Sequence, residues 1–411
     1  MVARTSLKRA AVFFFLVLFA GVSLTAIEKS ALQEYRQRRE RLAARIGRGV
    51  VVLFGNPDQE LVKFQQEANF YYLTGFDEPD AILLIDTSTK PIHEFLFLKP
   101  RDLAQERWTD VKLGPGADTE KATGLQKVLP AAEFPETLKK VAANKTVFAL
   151  QPAFARLRDI VPGAKMDDVA PPLAELRQVK SDSEIRLLDK AVQITLKGQE
   201  AAAQTIASGV MEYEVQAALE YEFRRNGAEG PGYPSIVGSG PFSTVLHYDK
   251  AERRMQSGDV VVVDAGAQYG GYSADVTRTY PVSGKFSPRQ KEIYQIVLDA
   301  QRAAIAEVKP GTTFAKIHAA AFNYIRSKGY AKYFIHGTSH HIGLQVHDVG
   351  NTSQTLEPNM VITVEPGIYI PEEQLGVRIE DDVVVTAGGC RVLSDFPKDI
   401  DEIEHLMQKR K

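Results

Sequence analysis

A chain of 411 residues, 44% hydrophobic and 25% charged, is long for one domain and holds enough apolar mass for a core without covalent staples. A net charge of −2 argues against a general affinity for nucleic acid or an anionic membrane. The single cysteine, Cys390, excludes an intrachain disulfide framework and a thiolate-rich zinc site. The chain opens with Arg4, Lys8 and Arg9, then the apolar run AVFFFLVLFAGVSL, then small residues ending at Ala26. This is the layout of a secretory signal over residues 1–26, and it predicts a periplasmic or secreted protein. The run is short against the roughly 20 residues of a spanning helix, and an uncleaved N-terminal anchor is the alternative.

From Glu34 to Gly47 the charged, amphipathic sequence predicts a helix. VVVLF (50–54), AILLID (81–86) and HEFLFLK (93–99) read as strands of a mixed α/β domain spanning 28–170, with Ala170-Pro171-Pro172 as its linker. A second domain, 173–411, opens on a long helix capped at Ser181 with Glu184 in its first turn. A helix over 212–225 and a Gly/Pro-rich loop over 227–240 come next, then a hairpin and two more helices. GLQVHDV, MVITVEPGIYI and GVRIEDDVVVT read as closing strands.

The hairpin is DAGAQYGGYSAD, Asp264 to Asp275, between β-branched runs. With its turn centred between Tyr269 and Gly270, Asp264 and Asp275 face each other directly, roughly 5 Å apart at Cβ. A fold keeps such a pair only with a cation between them, with one protonated, or with water screening both. The flanking valines argue against free water. Further along, His336, His340, His341 and His347 crowd twelve positions, Glu365 ends an apolar strand, and Arg378 and Glu380 alternate on another. Singly, each has an ordinary explanation: a surface histidine, a strand end, an exposed ion pair. Jointly, Asp264, Asp275, Glu365 and Glu380 place four carboxylates beside buried strands, at several kcal/mol each if uncompensated. Two divalent cations would balance them, with one histidine as nitrogen ligand. That oxygen-rich set favours Mn²⁺, with Co²⁺ or Zn²⁺ as alternatives, over calcium.

This set, in this order, closely resembles the aminopeptidase P branch of the pita-bread metallopeptidases. The resemblance covers LRQVKSDSEIRLL through DEIEHLM, and, in the first half, NFYYLTGFDEPDA and RDLAQERWTDVKLGPG. It implies an α/β N-terminal domain followed by an α+β pita-bread catalytic domain. It also implies a metal-ligand set of Asp264, Asp275, His340, Glu365 and Glu380, with Asp275 and Glu380 bridging two ions. Glu365 would shuttle the proton, His247, His336 and His347 would be accessory histidines, and Arg378 would brace the bridging glutamate. The implied reaction is hydrolysis, by a hydroxide bridging the two metals, of the bond preceding a proline at position two of a peptide. The implied assembly is a dimer or tetramer, in which the segment carrying Trp108 would border a neighbour's site. His341, beside the implied ligand, stands where relatives often carry an aromatic.

Prolidase, which cleaves Xaa-Pro dipeptides, is the rival reading, and a binding protein without turnover is a third. Between Gly367 and Gly376 the sequence IYIPEEQL has two glutamates and no cation. As the rim of the pocket, that segment would repel a dipeptide's carboxylate and tolerate a longer peptide.

Overall fold

The computed structural model describes residues 24–408. The predicted signal lies outside them, apart from Leu24–Ala26, which begin the helix Leu24–Ile46. No helix among the described residues is long and apolar enough to cross a membrane.

The first part is one mixed sheet of six strands: β1 (Val50–Phe54), β2 (Ile82–Asp86), β3 (His93–Leu98), β4 (Lys127–Pro130), β5 (Val147–Ala149) and β6 (Met166–Asp168). Their order is β4-β3-β2-β1-β5-β6, with β1 antiparallel to β2 and parallel to β5. Strand β1 is apolar on both faces because both are covered. Val50 and Val52 pack with Phe134, Leu138 and Leu157 of two short helices. Val51 and Leu53 face the opposite way, into a cluster with Leu42, Phe70 and Leu73. That second cluster runs on into Leu188, Val192, Tyr272, Ile342 and Val361, so the two halves of the chain share a core. The prolines expected to form a linker instead open the helix Ala170–Gln178. In a first helical turn their missing N–H costs nothing.

Ser181 caps the helix Asp182–Thr205 as expected. Its Oγ accepts from the Glu184 amide, and the Glu184 carboxylate accepts from the Ser181 amide. The segment expected as a loop over 227–240 contains β7 (Gly230–Pro231) and β8 (Ile236–Ser239). Strand β8 edges a sheet with β9 (Val260–Ala265), while β10 (Ala267–Tyr269) and β11 (Tyr272–Ser273) close the hairpin and β12 (Val276–Pro281) returns along β9.

The register differs from the expected one by two residues. Gly270 and Gly271 both have positive φ, +58° and +80°, so they form the two central turn residues, as a two-residue hairpin loop requires. Asp264 therefore faces Thr277, and Asp275 sits off the ladder between β11 and β12. Since Asp275 is two residues from Thr277, both carboxylates still share one face, as diagonal rather than direct neighbours. Where the ladder breaks, Gly266 lets the backbone of Ala274 come close.

The remaining strands are β13 (Val361–Val364), β14 (Gly367–Ile370), β15 (Leu375–Arg378), β16 (Asp381–Val385) and β17 (Cys390–Val392). Two expected strands are each broken at a carboxylate: one at Glu365-Pro366, where proline cannot donate to a ladder, and one at Ile379-Glu380. The stretch GLQVHDV forms no strand. Its amides turn inward, Gly343 to the Gln345 carbonyl and Asp348 to that of His341.

A Cβ on Gly266 would lie 1.7 Å from the Ala274 carbonyl oxygen. Gly266→Ala should therefore cost about 2 kcal/mol or more, whereas Gly388→Ala, with nothing within 4 Å, should change stability by about 0.5 kcal/mol or less. Urea unfolding of the two variants beside the unaltered protein checks both.

Candidate active site

The three strand breaks and the loop after Tyr333 converge on one cleft of about 650 Å³. Its lining includes Asp264, Asp275, His340, Glu365 and Glu380, together with Tyr233, His247, His336, His347 and Arg378. The backbone of each break is pinned. The Asp275 amide donates to Asp382 Oδ2 at 2.9 Å, and that of Glu380 to the Thr277 carbonyl at 3.1 Å. The Glu365 amide donates to the Thr338 carbonyl at 2.8 Å, and the His340 amide to Thr363 Oγ1 at 3.1 Å. Breaking a strand at a carboxylate thus frees its side chain to turn toward the cleft while the main chain stays hydrogen-bonded.

Ligand atoms of Asp275, His340 and Glu380 lie within 4.8 Å of one another. The His340 Nδ1 faces the His341 carbonyl at 3.0 Å, which fixes its proton there. Nε2 is left toward Asp275 Oδ2 and Glu365 Oε1, each at 3.4 Å. A backbone carbonyl on the far nitrogen is the arrangement that orients a metal-ligating histidine. Tyr233 Oη lies 2.6 Å from Asp264 Oδ1 and 2.5 Å from Asp275 Oδ1, yet it has a single proton to donate. Arg378 donates from Nη2 to Asp264 Oδ2 at 2.6 Å, from Nη1 to Tyr369 Oη at 2.9 Å and from Nε to Thr277 Oγ1 at 3.2 Å. Thr277 in turn donates to Glu380 Oε2 at 2.6 Å. The expected brace on Glu380 is therefore indirect, and the direct partner of Arg378 is Asp264.

The protein's own cations do not suffice for four carboxylates. Burial raises the proton affinity of Asp264, but Arg378 and Tyr233 outweigh it and hold that carboxyl low. Burial and the Asp264 charge push Asp275 up. Burial, then Asp275 and Glu365, push Glu380 well above the ordinary range. Glu365 is pushed to about 7 by burial and Asp275, against His340 and Arg378. His340 is disfavoured as a cation by burial, yet Asp275 and Glu365 raise it to about 9. The raised proton affinities of Asp275, Glu365 and Glu380 are the mark of crowded negative charge that a cation would relieve. One imidazole and four carboxylates around one point fit divalent ions that accept both nitrogen and oxygen ligands.

The accessory histidines are brought to the same cleft. Burial and Arg378 depress His336 to about 4, and Tyr369 Oη meets its Nε2 at 2.8 Å, so the ring is neutral. The His347 ring lies edge-on to His340 with centroids 4.4 Å apart, and exposed His247 lines the cleft with it. His341 turns away: it is buried edge-on to Phe314 at 4.9 Å and makes no hydrogen bond through either ring nitrogen. It takes the place of an aromatic rather than that of a ligand. His318, assigned no role from sequence, meets Thr338 Oγ1 at 2.8 Å, behind the Glu365 backbone.

Behind His347, the Asp348 side chain is 2% exposed and pairs with buried Arg177 and with Lys180 Nζ at 3.3 Å. Arg177 also donates to Asn69 Oδ1 at 2.7 Å, tying this loop to the first part of the chain.

The expected rim does not form. Glu372 and Glu373 are absent from the cleft lining, and Arg289 holds Glu373 by two hydrogen bonds of 2.8 and 2.7 Å. Sequence reasoning also missed Tyr233, Thr277, Tyr369 and Asp382. Only Thr277 left a readable signal, by its alternation on the face of the hairpin carboxylates.

A cleft whose floor is five carboxylate and imidazole donors, backed by an arginine and lined by further histidines, is that of a metallohydrolase. Residues 186–387 match the metallopeptidase family M24 and residues 35–148 the aminopeptidase P N-terminal domain. The Xaa-Pro aminopeptidase of Haemophilus influenzae is 34% identical over 94% of this chain and 100% of that protein. The Xaa-Pro dipeptidase of Pyrococcus horikoshii is 39% identical, but over 68% of this chain and 75% of its own. The structure of proline aminopeptidase P II from Yersinia pestis superposes with a TM-score of 0.86 at 34% identity, covering 92% of this chain and 99% of that one. The chain belongs to the aminopeptidase P group of metallopeptidase family M24, with an N-terminal aminopeptidase P domain and a pita-bread catalytic domain.

Asp275→Asn and Glu380→Gln each remove a charge from the donor set, while leaving the side-chain volume. Each should lower bound divalent metal by half or more, and hydrolysis by about a hundredfold or more. Elemental analysis after gel filtration, with rates on the same samples, measures both; unchanged metal content would remove these residues from the ligand set.

Proposed function

We propose that the protein is a metal-dependent aminopeptidase that hydrolyses the bond between a peptide's first residue and a proline at position two. The carrying observation is what the cleft lacks. Its one arginine, Arg378, is committed to Asp264, Tyr369 and Thr277, and no lysine is among the described residues that line it. Among the described lining residues no arginine or lysine is free to hold the carboxylate of a dipeptide's own proline, which favours a peptide that continues past it. The similarity of this chain along nearly its whole length to an Xaa-Pro aminopeptidase supports the same reading.

Asp264, Asp275, His340, Glu365 and Glu380 would hold two divalent ions, manganese by the oxygen-rich donor set, with cobalt or zinc as alternatives. Bound divalent metal supplies Lewis acidity and lowers the pKa of a coordinated water. Glu365, at the edge of the donor set and within reach of the cleft, takes a proton from the attacking water and passes it to the leaving proline nitrogen. His247 and His347, on the open side of the floor, are placed to hydrogen-bond the developing oxyanion. His336 is itself fixed, its Nδ1 donating to the Gly337 carbonyl at 2.7 Å and its Nε2 meeting Tyr369 Oη at 2.8 Å, and it presents its ring to the cleft beside Glu365. A proline nitrogen has no N–H, so a site for this bond cannot rely on gripping one and must position the substrate through its other groups.

Two further parts of the proposal rest on the N-terminal half. The basic, apolar and small order of residues 1–26 supports export, and N-terminal sequencing of the natively produced protein should begin between about Ser23 and Glu28. The exposure of Trp108 (86%), Leu103 (68%) and Val111 (67%) supports a dimer or tetramer, which light scattering would report as two or four times the mass of the mature chain.

With manganese supplied, kcat/KM for an Xaa-Pro-Yaa tripeptide should exceed that for the matching Xaa-Pro dipeptide by about tenfold or more, or roughly 1.4 kcal/mol of transition-state binding. Equal rates would move the chain to the dipeptidases and leave the donor set as described.

A further inference from the structure

We propose that Asp249 selects peptides with a lysine or arginine side chain on either side of the Xaa-Pro unit's scissile bond, at the first position or just past the proline at the third. The inference rests on the aminopeptidase reading and adds a substrate class to it. Asp249 is two residues beyond His247 and lines the same cleft. It is exposed, and its carboxylate has no hydrogen-bond or ion-pair partner among the described residues. The other carboxylates of the lining are accounted for. Asp264, Asp275 and Glu380 are buried in the floor, and Glu365 is turned to His340. Nearby Arg253 is held by Asp259, and Lys250, the chain neighbour of Asp249, is not part of the lining. The exposed wall thus carries one uncompensated negative charge.

The same lining carries apolar side chains, Pro234, Leu246 and Val346. An apolar wall with a carboxylate at its solvent side fits a long amphipathic side chain, whose methylenes cover the wall while the charged end reaches the carboxylate. The substrate's α-ammonium is a poorer match for Asp249. It stands two bonds, about 2.5 Å, from the carbonyl that is cleaved, which keeps it at the buried floor. A lysine ammonium lies four carbons further out and can reach an exposed wall.

The test measures kcat/KM on the full-length, manganese-loaded protein with Xaa-Pro-Ala and Ala-Pro-Xaa, where Xaa is lysine, norleucine or glutamate, and with Ala-Pro-Ala as reference. Lysine should exceed norleucine by about fivefold at one of the two positions at low salt, the size of an exposed ion pair. The ratio should fall toward one near 1 M salt, where the Debye length is about 3 Å. Asp249→Asn should abolish the ratio with Ala-Pro-Ala turnover kept, and Asp249→Lys should turn the preference toward glutamate. Equal rates for lysine and norleucine at both positions, or a lysine preference that survives Asp249→Asn, would overturn the inference. A uniform loss on every peptide in Asp249→Asn would overturn it too, and would make Asp249 an anchor for the α-ammonium. If the unaltered protein fails on Ala-Pro-Ala itself, the parent reading falls and this inference with it. Turnover of Ala-Pro-Ala without a lysine preference defeats the inference alone.

Discussion

The governing constraint is the crowding of four carboxylates into one sheltered floor. Carboxylates so close repel one another, and burial removes the water that would screen them. The neighbourhood is arranged around that repulsion. Arg378 lies against Asp264, Tyr233 shares one proton between Asp264 and Asp275, and Thr277 relays the guanidinium to Glu380. His340 leans between Asp275 and Glu365 with its far nitrogen fixed by a carbonyl. These contacts moderate the charge without cancelling it, and the remainder is charge that a bound cation would neutralise. A floor already neutral would hold metal weakly. One without Arg378 and Tyr233 would have to keep more protons, and binding metal would require displacing them.

The same constraint explains why strands stop where they do. A carboxylate inside a regular ladder points straight up or down from the sheet, and its neighbours fix that direction. Ending β13 before Glu365, and leaving Glu380 between β15 and β16, lets each side chain turn toward the common centre. Hydrogen bonds to Thr338 and Thr277 keep the freed backbone satisfied.

Much of the site is legible in the sequence because polar residues beside apolar runs are locally visible. Asp264, Asp275, Glu365 and Glu380 each border or interrupt a β-branched stretch, and four histidines within twelve residues stand out without any structure. The resemblance then chooses His340 over His341, and the carbonyl of His341 on the His340 ring shows how the neighbour serves instead. The hairpin register escapes a reading that centres the turn on Tyr269 and Gly270. The backbone requires positive φ at both central positions, which only the Gly270-Gly271 pairing gives. Tyr233, Tyr369 and Asp382 are not legible, since each reaches the site from a separate segment and its partners lie between 9 and 107 residues away. The rim fails for a similar reason: Arg289, which holds Glu373, comes from a helix 84 residues earlier in the chain. Proline is likewise ambiguous. At 171–172 it reads as a break in structure, yet it starts a helix.

The buried contact of Arg177 and Lys180 with Asp348 has a consequence for how this protein can be divided. Both cations precede the long helix of the catalytic half, and Arg177 is itself steadied by Asn69 in the first half. Asp348 is the residue after His347, so the loop that aims this histidine leans on groups outside the catalytic sheet. A fragment cut after Lys180 would carry every donor of the floor and still leave a carboxylate without its counter-charges beside the cleft. The N-terminal half cannot then be treated as an interchangeable accessory. In a chimera with a relative, it could be exchanged only together with the partner that Arg177 finds at position 69.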